Sequence, residues 1–265
     1  MRSPTALLSL LLSFPLVSNA NEATVPNLEY SIVNRLSIPG QCVTQGLAIY
    51  KASIFISCGG YGKSRLVRLS LHDGSIISQL NLPEHIYAEG VDIISEHAYV
   101  LTWRAEQALI VEIDSMSIVN YVNYDGEGWG LTRRDERFLM TNGTSTISEI
   151  TPTDFTATAQ YSVTTNSYIP IRNLNDLTLI GNYVAANILN ERKIAIFNHS
   201  SPDTLVQAAF IDLQPIHQFY SDKPAGRPLN GITYDEMTNL TWISGKNWGD
   251  IYALAIDYSV LKYTQ

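Results

Sequence analysis

A short motif recurs five times along this chain and constrains its fold more than any other feature. In each copy a polar residue or Trp precedes Gly, or once Asp, and an apolar strand-like segment follows. Counted from Gly46, the intervals between copies are 44, 40, 46 and 55 residues, the period typical of β-propeller blades. The copies are Gln45-Gly46-Leu47, Glu89-Gly90-Val91, Trp129-Gly130-Leu131, Asn175-Asp176-Leu177 and Asn230-Gly231-Ile232.

Each copy is followed by two further short strand-like segments. The second segments are residues 54–57, 98–101, 137–140, 183–186 and 240–243, and the third are 65–69, 108–113, 146–150, 193–197 and 250–254. This pattern predicts an all-β fold, a five-bladed β-propeller with antiparallel four-stranded blades around a central axis. The first strand of each blade would line that axis. We therefore expect the residues before each Gly or Asp to converge at one mouth as a site: Gln45, Glu89, Trp129, Asn175 and Asn230.

Composition fits a single β domain and disfavours polyanionic partners. The 265 residues are 45 % hydrophobic with 15 Tyr, and their apolar runs are short and separated by turn residues. The even spacing predicts one domain over residues 21–265, expected to be a monomer. The net charge is −8 and the 17 Lys and Arg are scattered, whereas nucleic-acid binding needs a clustered basic surface. The negative net charge favours a neutral or cationic substrate over an anionic one.

The first 20 residues have the pattern of a signal peptide. Arg2 provides a positive start, residues 6–17 an apolar core, and Ser18-Asn19-Ala20 a small-residue cleavage site. The apolar core is too short for a membrane span and is flanked or interrupted by proline. We expect an exported protein, periplasmic or secreted, that begins near Asn21 and keeps no membrane anchor after cleavage.

Cys42 and Cys58 flank the first predicted hairpin, so they would lie nearly opposite each other on paired strands. An oxidising compartment favours a disulfide between them if their Cα atoms approach within about 7 Å. Cross-strand geometry is often strained, so two buried thiols are the alternative. The sequence leaves both open.

Several common catalytic patterns are missing from the sequence. The five histidines are isolated, and no Cys or His pair has zinc spacing. No Gly-x-Ser-x-Gly elbow occurs. The glycine-rich stretch at residues 58–64 follows a predicted hairpin and precedes no helical pattern, so it does not qualify as a phosphate loop. No metal or cofactor is therefore expected.

A carboxylate, amides, a lysine and aromatic residues remain as candidates for chemistry. Glu89 near Trp103 and Trp129 would be partly desolvated, which raises a carboxyl pKa and suits acid/base catalysis. A structural Glu that accepts backbone N–H groups is the alternative. The tryptophans form either an apolar slot or ordinary blade packing. Lys246 follows a predicted second strand and either points inward or is exposed.

Eight segments of the chain resemble the plant and bacterial glutaminyl-peptide cyclotransferases in the correct order. They extend over nearly the whole mature chain, and the two strings at residues 126–132 and 142–147 are the most specific. The segments are Thr44-Gln45-Gly46-Leu47, Glu89-Gly90-Val91, Leu101-Thr102-Trp103, Gly126-Glu127-Gly128-Trp129-Gly130-Leu131-Thr132, Asn142-Gly143-Thr144-Ser145-Thr146-Ile147, Leu174-Asn175-Asp176-Leu177, Ala186-Asn187, and Leu229-Asn230-Gly231-Ile232 with Ser244-Gly245-Lys246.

The resemblance implies a five-bladed propeller that cyclises the N-terminal glutamine of peptides or proteins to pyroglutamate. It implies release of ammonia without a metal or cofactor. Position by position, it assigns acid/base work to Glu89 and the holding of the reacting amide to Asn175 and Lys246. The residues that it implies for substrate binding are Gln45, Trp103, Trp129, Asn187 and Asn230.

Three positions depart from the family pattern and mark a divergent member. Val43 replaces a usual Phe, Ile56 replaces a usual Glu, and Leu189 replaces a usual Trp. These changes bear on substrate affinity and leave the proton-transfer residues intact. They motivate an alternative, a propeller that binds peptide N-termini or another small ligand with weakened turnover. A calcium-dependent lactonase is a further alternative, but one axial carboxylate beside Lys246 is a poor cation cage.

We also make structural predictions for two segments outside the repeats. An open ring would expose strand edges, so we predict that residues 30–36 pair as the outermost strand of the fifth blade. Residues 259–263 are the competing choice. Residues 213–228, between the fourth and fifth repeats, would form a short helix or a lid near the mouth.

Overall fold

The computed structural model of the protein describes residues 25–220 and 227–261, and almost all regular structure in these ranges is β. The all-β class is therefore confirmed, whereas the predicted signal peptide lies outside the described residues. After β1 (Tyr30–Ser37), two four-stranded antiparallel sheets follow in chain order. The first holds β2 (Val43–Tyr50), β3 (Ser53–Gly59), β4 (Arg65–Ser70) and β5 (Ile76–Asn81), and the second holds β6 (Ala88–Ile94), β7 (His97–Thr102), β8 (Gln107–Glu112) and β9 (Ser117–Asn123).

The first three strands of each of these two sheets are mostly buried, and the fourth is mostly exposed. The sequence of β3, SIFISCG, is apolar or small throughout and is buried on both faces, whereas β5 has the sequence IISQLN and is largely exposed. A sheet that is covered on both faces needs such continuous apolar strands. The first three strands of each sheet therefore lie mostly in the protein interior, and the fourth strands form its outer surface.

An eight-stranded sheet follows, and it consists of two antiparallel four-stranded units. The units are joined by a short parallel pairing of Ser162 with Thr204 through Thr164 with Val206. The sequence pattern did not predict this junction. The strands are β10 (Gly130–Arg134), β11 (Arg137–Thr141), β12 (Thr146–Ile150), β13 (Ala157–Thr164), β14 (Leu174–Ile180), β15 (Tyr183–Ile188), β16 (Lys193–Ser201) and β17 (Thr204–Asp212).

The connection at residues 213–228 begins with helix α1 (Gln214–His217) and a 3-10 turn (Gln218–Tyr220). The expected short helix is thus present, while residues 221–226 lie outside the described part. No helix within the described ranges is long and apolar enough to cross a membrane. The last sheet contains β18 (Leu229–Asp235), β19 (Leu240–Gly245) and β20 (Asp250–Ile256), and a 3-10 turn (Tyr258–Val260) follows it.

β1 completes the last sheet, as predicted. It pairs antiparallel with β20, from Tyr30 opposite Ile256 to Ser37 opposite Asp250, and gives the strand order β1-β20-β19-β18. The competing choice was wrong for its described part, because Ser259 lies in the 3-10 turn. The N-terminal strand therefore brings the two ends of the chain together in one sheet.

The four-stranded units are arranged in a cycle around an axis. Their first strands, called the inner strands from here on, contact one another in the order β2, β6, β10, β14, β18 and back to β2. A hydrophobic cluster packs between each unit and the next. The cluster that contains Leu36, Ile54 and Trp242, for example, lies between the last sheet and the first. Because two of the expected blades share one sheet, the number of blades stays a prediction.

Cys42 and Cys58 form a disulfide, which decides between the two alternatives that the sequence left open. Their Cα atoms lie 5.0 Å apart, and both residues are buried. The bond connects the residue just before β2 to the end of β3. It therefore fixes the end of the first hairpin from which Gln45 projects.

Candidate active site

Four of the five copies of the repeated motif coincide with β-bulges at the beginnings of the inner strands, whereas the copy at Gly130 begins a strand whose register does not shift. The pairing register shifts between Thr44 and Gly46 in β2, and equivalent shifts occur in β6, β14 and β18. A bulge leaves residues unpaired and redirects their side chains. The unpaired residues include Gln45, Glu89, Asn175 and Asn230. The sequence motif is thus the signature of these bulges, all at the same end of the inner strands.

The inner strands approach one another too closely for side chains at the motif glycines. A Cβ atom added at Gly90 would lie 2.6 Å from the Leu131 nitrogen, and one at Gly130 would lie 2.3 Å from the Asn175 oxygen. Glycine is therefore required at these positions. In the fourth repeat the side chain of Asp176 instead accepts hydrogen bonds from the backbone N–H groups of Leu47 and Ile232, at 3.3 and 2.8 Å.

Gln45 and Asn230 bind each other at the mouth of the axis. The Asn230 Nδ2 group donates to Gln45 Oε1 at 2.9 Å, and Gln45 Nε2 donates to the Tyr87 hydroxyl at 3.1 Å. Asn230 also donates to the backbone oxygens of Thr44 and Gln45. Both amides are almost fully buried. These two predicted binding residues therefore form a network that joins β18 to β2 and supports Tyr87.

Glu89 is a buried carboxyl with a strongly perturbed proton affinity. The residue is 6 % exposed. Burial raises the pKa of Glu89 to about 8, the positive charge of Lys246 opposes this, and the negative charge of Glu127 adds to it. Burial also lowers the pKa of Lys246, while Glu89 opposes that shift. Glu89 and Lys246 therefore influence each other at this mouth.

Trp103 and Trp129 are brought together by a carboxylate that the candidate list from the sequence did not include. The indole nitrogens of both tryptophans donate to the same oxygen of Glu127, at 2.8 and 2.9 Å. Trp129 precedes β10, Trp103 follows β7, and each is half-buried. Gly90 in turn donates its backbone N–H to the Trp129 oxygen at 2.8 Å. This bond connects the tryptophan pair to the strand that carries Glu89.

Asn175 and Asn187 are buried amides at the fourth repeat. Asn187 lies opposite the bulge at Asn175 and Asp176, because β15 pairs Ile188 with Leu174 and Ala186 with Leu177. Within the described part of the chain, no hydrogen-bond partner reaches Asn175 Oδ1 or either polar atom of the Asn187 side chain. Buried polar atoms are normally paired. Asn175 and Asn187 are therefore buried polar groups whose hydrogen-bonding capacity the described residues do not fill.

The three departures from the family pattern lie at different places. Val43 begins β2 and forms an isolated antiparallel bridge with Lys246, so it lies beside a predicted catalytic residue. Ile56 is fully buried in the hydrophobic cluster between the first and last sheets. Leu189 follows β15 and donates its backbone N–H to the Asn173 oxygen. Val43 and Leu189 thus lie near the mouth, whereas Ile56 belongs to the core.

The opposite ends of the inner strands surround a separate polar cavity of about 820 Å³. Asp92, Thr132, Thr178 and Thr233 contribute to its lining, and none of the predicted site residues does. Over residues 25–220 and 227–261, no three His, Cys, Asp or Glu side chains are grouped so that they could hold a metal ion. The bulges instead place Gln45, Glu89, Asn175 and Asn230 at the beginnings of the inner strands, and this mouth is the candidate active site.

Fold and site together define a β protein whose ring of inner strands presents a buried carboxyl, a lysine, amides and two tryptophans at one mouth. The model of the glutamine cyclotransferase family matches residues 6–256. The chain belongs to the glutamine cyclotransferase family. This result confirms the resemblance seen in the sequence.

One curated protein and two solved structures are similar to this chain at low sequence identity. The glutaminyl-peptide cyclotransferase of Arabidopsis thaliana is 25 % identical over 239 residues, which cover 88 % of this chain and 73 % of the plant protein. The crystal structure of Myxococcus xanthus glutaminyl cyclase matches with a TM-score of 0.78 and 22 % identity over 87 % of this chain and 98 % of that one. The WD40 repeats of RRP9 match with a TM-score of 0.53 at 8 % identity, covering 86 % of this chain and 100 % of theirs, and show a shared fold only.

Proposed function

We propose that the protein is a glutaminyl-peptide cyclotransferase that converts the N-terminal glutamine of peptides or proteins to pyroglutamate and releases ammonia. The single observation that carries this proposal is the buried Glu89 at the mouth that also holds Lys246 and the tryptophan pair, in a chain of this family. We also propose that its four-stranded units are the five blades of a propeller, with two blades joined through β13 and β17.

The reaction needs no nucleophile from the protein. The neutral α-amine of the substrate attacks the carbon of its own γ-carboxamide, so a ring C–N bond forms and the bond to the departing nitrogen breaks. Glu89 takes a proton from the attacking amine and gives it to the leaving nitrogen, which departs as ammonia. A carboxyl whose pKa is raised to about 8 is well matched to both transfers near neutral pH.

The surrounding residues orient the substrate and stabilise the charge that develops on the carboxamide oxygen. Trp103 and Trp129 form the apolar slot that folds the glutamine side chain back over its amine, which is a proximity effect. Lys246 and Asn175 lie at the same mouth and supply donors for the oxyanion. Asn187 lies opposite the bulge that carries Asn175, and we assign it to the support of that amide. No step requires a metal, and we propose that the reaction is metal-independent.

Ammonia release from a Gln-initiated dipeptide tests the function, measured with and without chelator. The matched control is the same dipeptide with an acetylated α-amine, which cannot attack its own side chain. We expect ammonia and a cyclised product from the free peptide only. Release from both peptides would indicate hydrolysis of the side-chain amide, and binding of the free peptide without release would favour the alternative of a propeller that only binds. Activity lost with chelator and restored by metal would contradict metal independence.

We propose that residues 1–20 direct export and that the mature chain begins near Asn21. The signal-peptide pattern supports this, and so does the buried disulfide between Cys42 and Cys58, because such bonds persist in oxidising compartments. Intact-mass analysis of the protein from the extracytoplasmic fraction tests the proposal. A protein that keeps its first 20 residues and remains in the cytoplasm would contradict it.

A further inference from the structure

Glu127 accepts a hydrogen bond from each of the two tryptophans, Trp103 and Trp129. It lies in the loop between β9 and β10, and its Oε2 accepts the indole N–H of Trp103 at 2.8 Å and that of Trp129 at 2.9 Å. The two tryptophans come from different sheets, since one follows β7 and the other precedes β10. A single carboxylate oxygen therefore fixes the distance between two side chains that the backbone holds independently.

Arg104 binds the second carboxylate oxygen of Glu127. Its Nε group donates to Glu127 Oε1 at 3.0 Å, and its guanidinium lies 3.9 Å from the centre of the Trp103 ring. Tyr87 contacts the same ring edge-on, at 5.6 Å between centroids. An exposed Glu–Arg pair alone contributes little to stability. The two indole bonds to one oxygen are what distinguish this site from an ordinary surface ion pair.

We propose that Glu127 is a positioning residue for the cyclisation reaction: it holds Trp103 and Trp129 as the two walls of the glutamine slot and places a fixed negative charge near Glu89. This inference rests on the proposed function for its catalytic part. Its structural part, that Glu127 holds the two indoles, can be tested without turnover.

The ionisation of Glu127 supports the second role. Burial alone would raise the pKa of Glu127, but hydrogen bonds from Trp129, Arg104 and Trp103 outweigh it, and the pKa lies below its ordinary value. Glu127 is therefore an anion at neutral pH. Two carboxyls at one mouth thus have pKa values shifted in opposite directions, a pattern of acid/base sites.

Four titratable groups influence Glu89 or are influenced by it. Lys246, just after β19, lowers the pKa of Glu89, and Glu127, before β10, raises it. Tyr87 precedes β6 and Tyr124 follows β9; burial, with a contribution from Glu89, raises the pKa of each, so both stay neutral. Glu127 is therefore the anion that opposes Lys246. Removing its charge should shift the proton affinity of Glu89 downward.

The test compares Glu127→Ala, Glu127→Gln and the control Glu149→Gln. Glu149 also accepts hydrogen bonds from arginine and from an aromatic side chain, but it lies on β12 and contacts none of the site residues described above. Glu127→Ala removes the one oxygen that accepts both indole N–H groups, so we expect KM for a Gln-initiated dipeptide to rise at least about tenfold, with a smaller change in kcat. Glu149→Gln should leave KM and kcat unchanged.

Glu127→Gln separates geometry from charge. Its amide oxygen still accepts the indole N–H groups, so KM should stay within about threefold of the natural protein. It lacks the negative charge, so the limb of the pH profile that reports Glu89 should move to lower pH. Equal KM values and superimposable pH profiles for all three variants and the natural protein would overturn the proposal.

Acrylamide quenching of tryptophan fluorescence provides a readout without turnover. Trp242 and Trp248 are buried, so the half-buried Trp103 and Trp129 dominate the quenchable signal. Glu127→Ala should increase quenching, whereas Glu127→Gln and Glu149→Gln should not. If the natural protein releases no ammonia, the proposed function fails, and unchanged quenching in a folded Glu127→Ala variant would separately refute the positioning role.

Discussion

Asn230 donates a 2.9 Å hydrogen bond from its side chain to the side-chain oxygen of Gln45. The bond joins β18 to β2, the two inner strands from opposite ends of the chain. Both residues come from the repeated motif, and the resemblance implied that both bind substrate. Their amides are largely engaged with each other, with backbone oxygens and with Tyr87, which gives them a structural role in closing the ring.

Asn230→Ala should therefore destabilise the protein. It removes the donor to Gln45 and to two backbone oxygens in a buried network, and a lost buried hydrogen bond costs about 1–3 kcal/mol. Thermal melting measures the change. Gln79→Ala is the matched control, because it removes a hydrogen bond from the Gln79 side chain to Asn81 Oδ1 on an exposed strand and should leave Tm nearly unchanged. Equal melting temperatures for the two variants would contradict the structural role.

Removing the disulfide should also destabilise the fold. The bond closes a segment with a sequence separation of 16, for which the chain-entropy model gives about 3 kcal/mol. The double variant Cys42→Ala/Cys58→Ala should lose stability of this order in denaturant unfolding. Natural protein treated with reductant should shift toward the double variant. Identical unfolding curves for oxidised and reduced natural protein would refute the prediction.

The position of Trp129 depends on a glycine in the neighbouring turn. Gly143 has φ +79°, and a Cβ atom there would lie 2.7 Å from the Trp129 ring. Gly143→Ala should therefore displace the indole and raise KM, while kcat changes less. Gly249→Ala is the control, because Gly249 has φ +78° and its added Cβ meets nothing within 4 Å. It carries the same backbone strain without the clash, and equal KM values would show that the Trp129 contact is unimportant.

The sequence predicted the repeating architecture better than the contacts within the site. The motif spacing located the inner strands, and the need to close the ring predicted the pairing of β1 with β20. The parallel junction of β13 with β17 had no local signal, because it joins residues about 40 positions apart in sequence. The cysteine pair could be settled only by the Cα separation of 5.0 Å.

Glu127 shows why the site was predicted only in part. Glu127 is part of the string Gly126-Glu127-Gly128-Trp129 that resembles the family, so its proximity to Trp129 was visible in the sequence. Its other partner, Trp103, is 24 positions away in sequence. Only folding shows that both indoles reach the same carboxylate oxygen. Likewise, the motif placed Gln45 and Asn230 at one mouth, but it carried no information that their amides would bind each other.

The raised pKa of Glu89 predicts a specific pH dependence of stability. Between its ordinary value of 4.5 and about 8, the unfolded carboxyl ionises while the folded one stays protonated. The folded state then binds more protons, so stability falls as pH rises through this window. Glu89→Gln removes this contribution. Its Tm relative to the natural protein should rise between about pH 5 and pH 8, and parallel Tm curves would contradict the shifted pKa.

The turnover of Glu89→Gln, measured with its melting temperature, tests the central claim most directly. If Glu89 moves the proton from the attacking amine to the departing ammonia, Gln keeps the shape of the side chain but cannot carry that proton. General acid/base catalysis contributes about 10²–10⁴-fold, so kcat should fall at least about 100-fold while KM changes far less and the variant stays folded. Unchanged kcat in a stably folded Glu89→Gln variant would contradict the account and place the proton transfer on another residue.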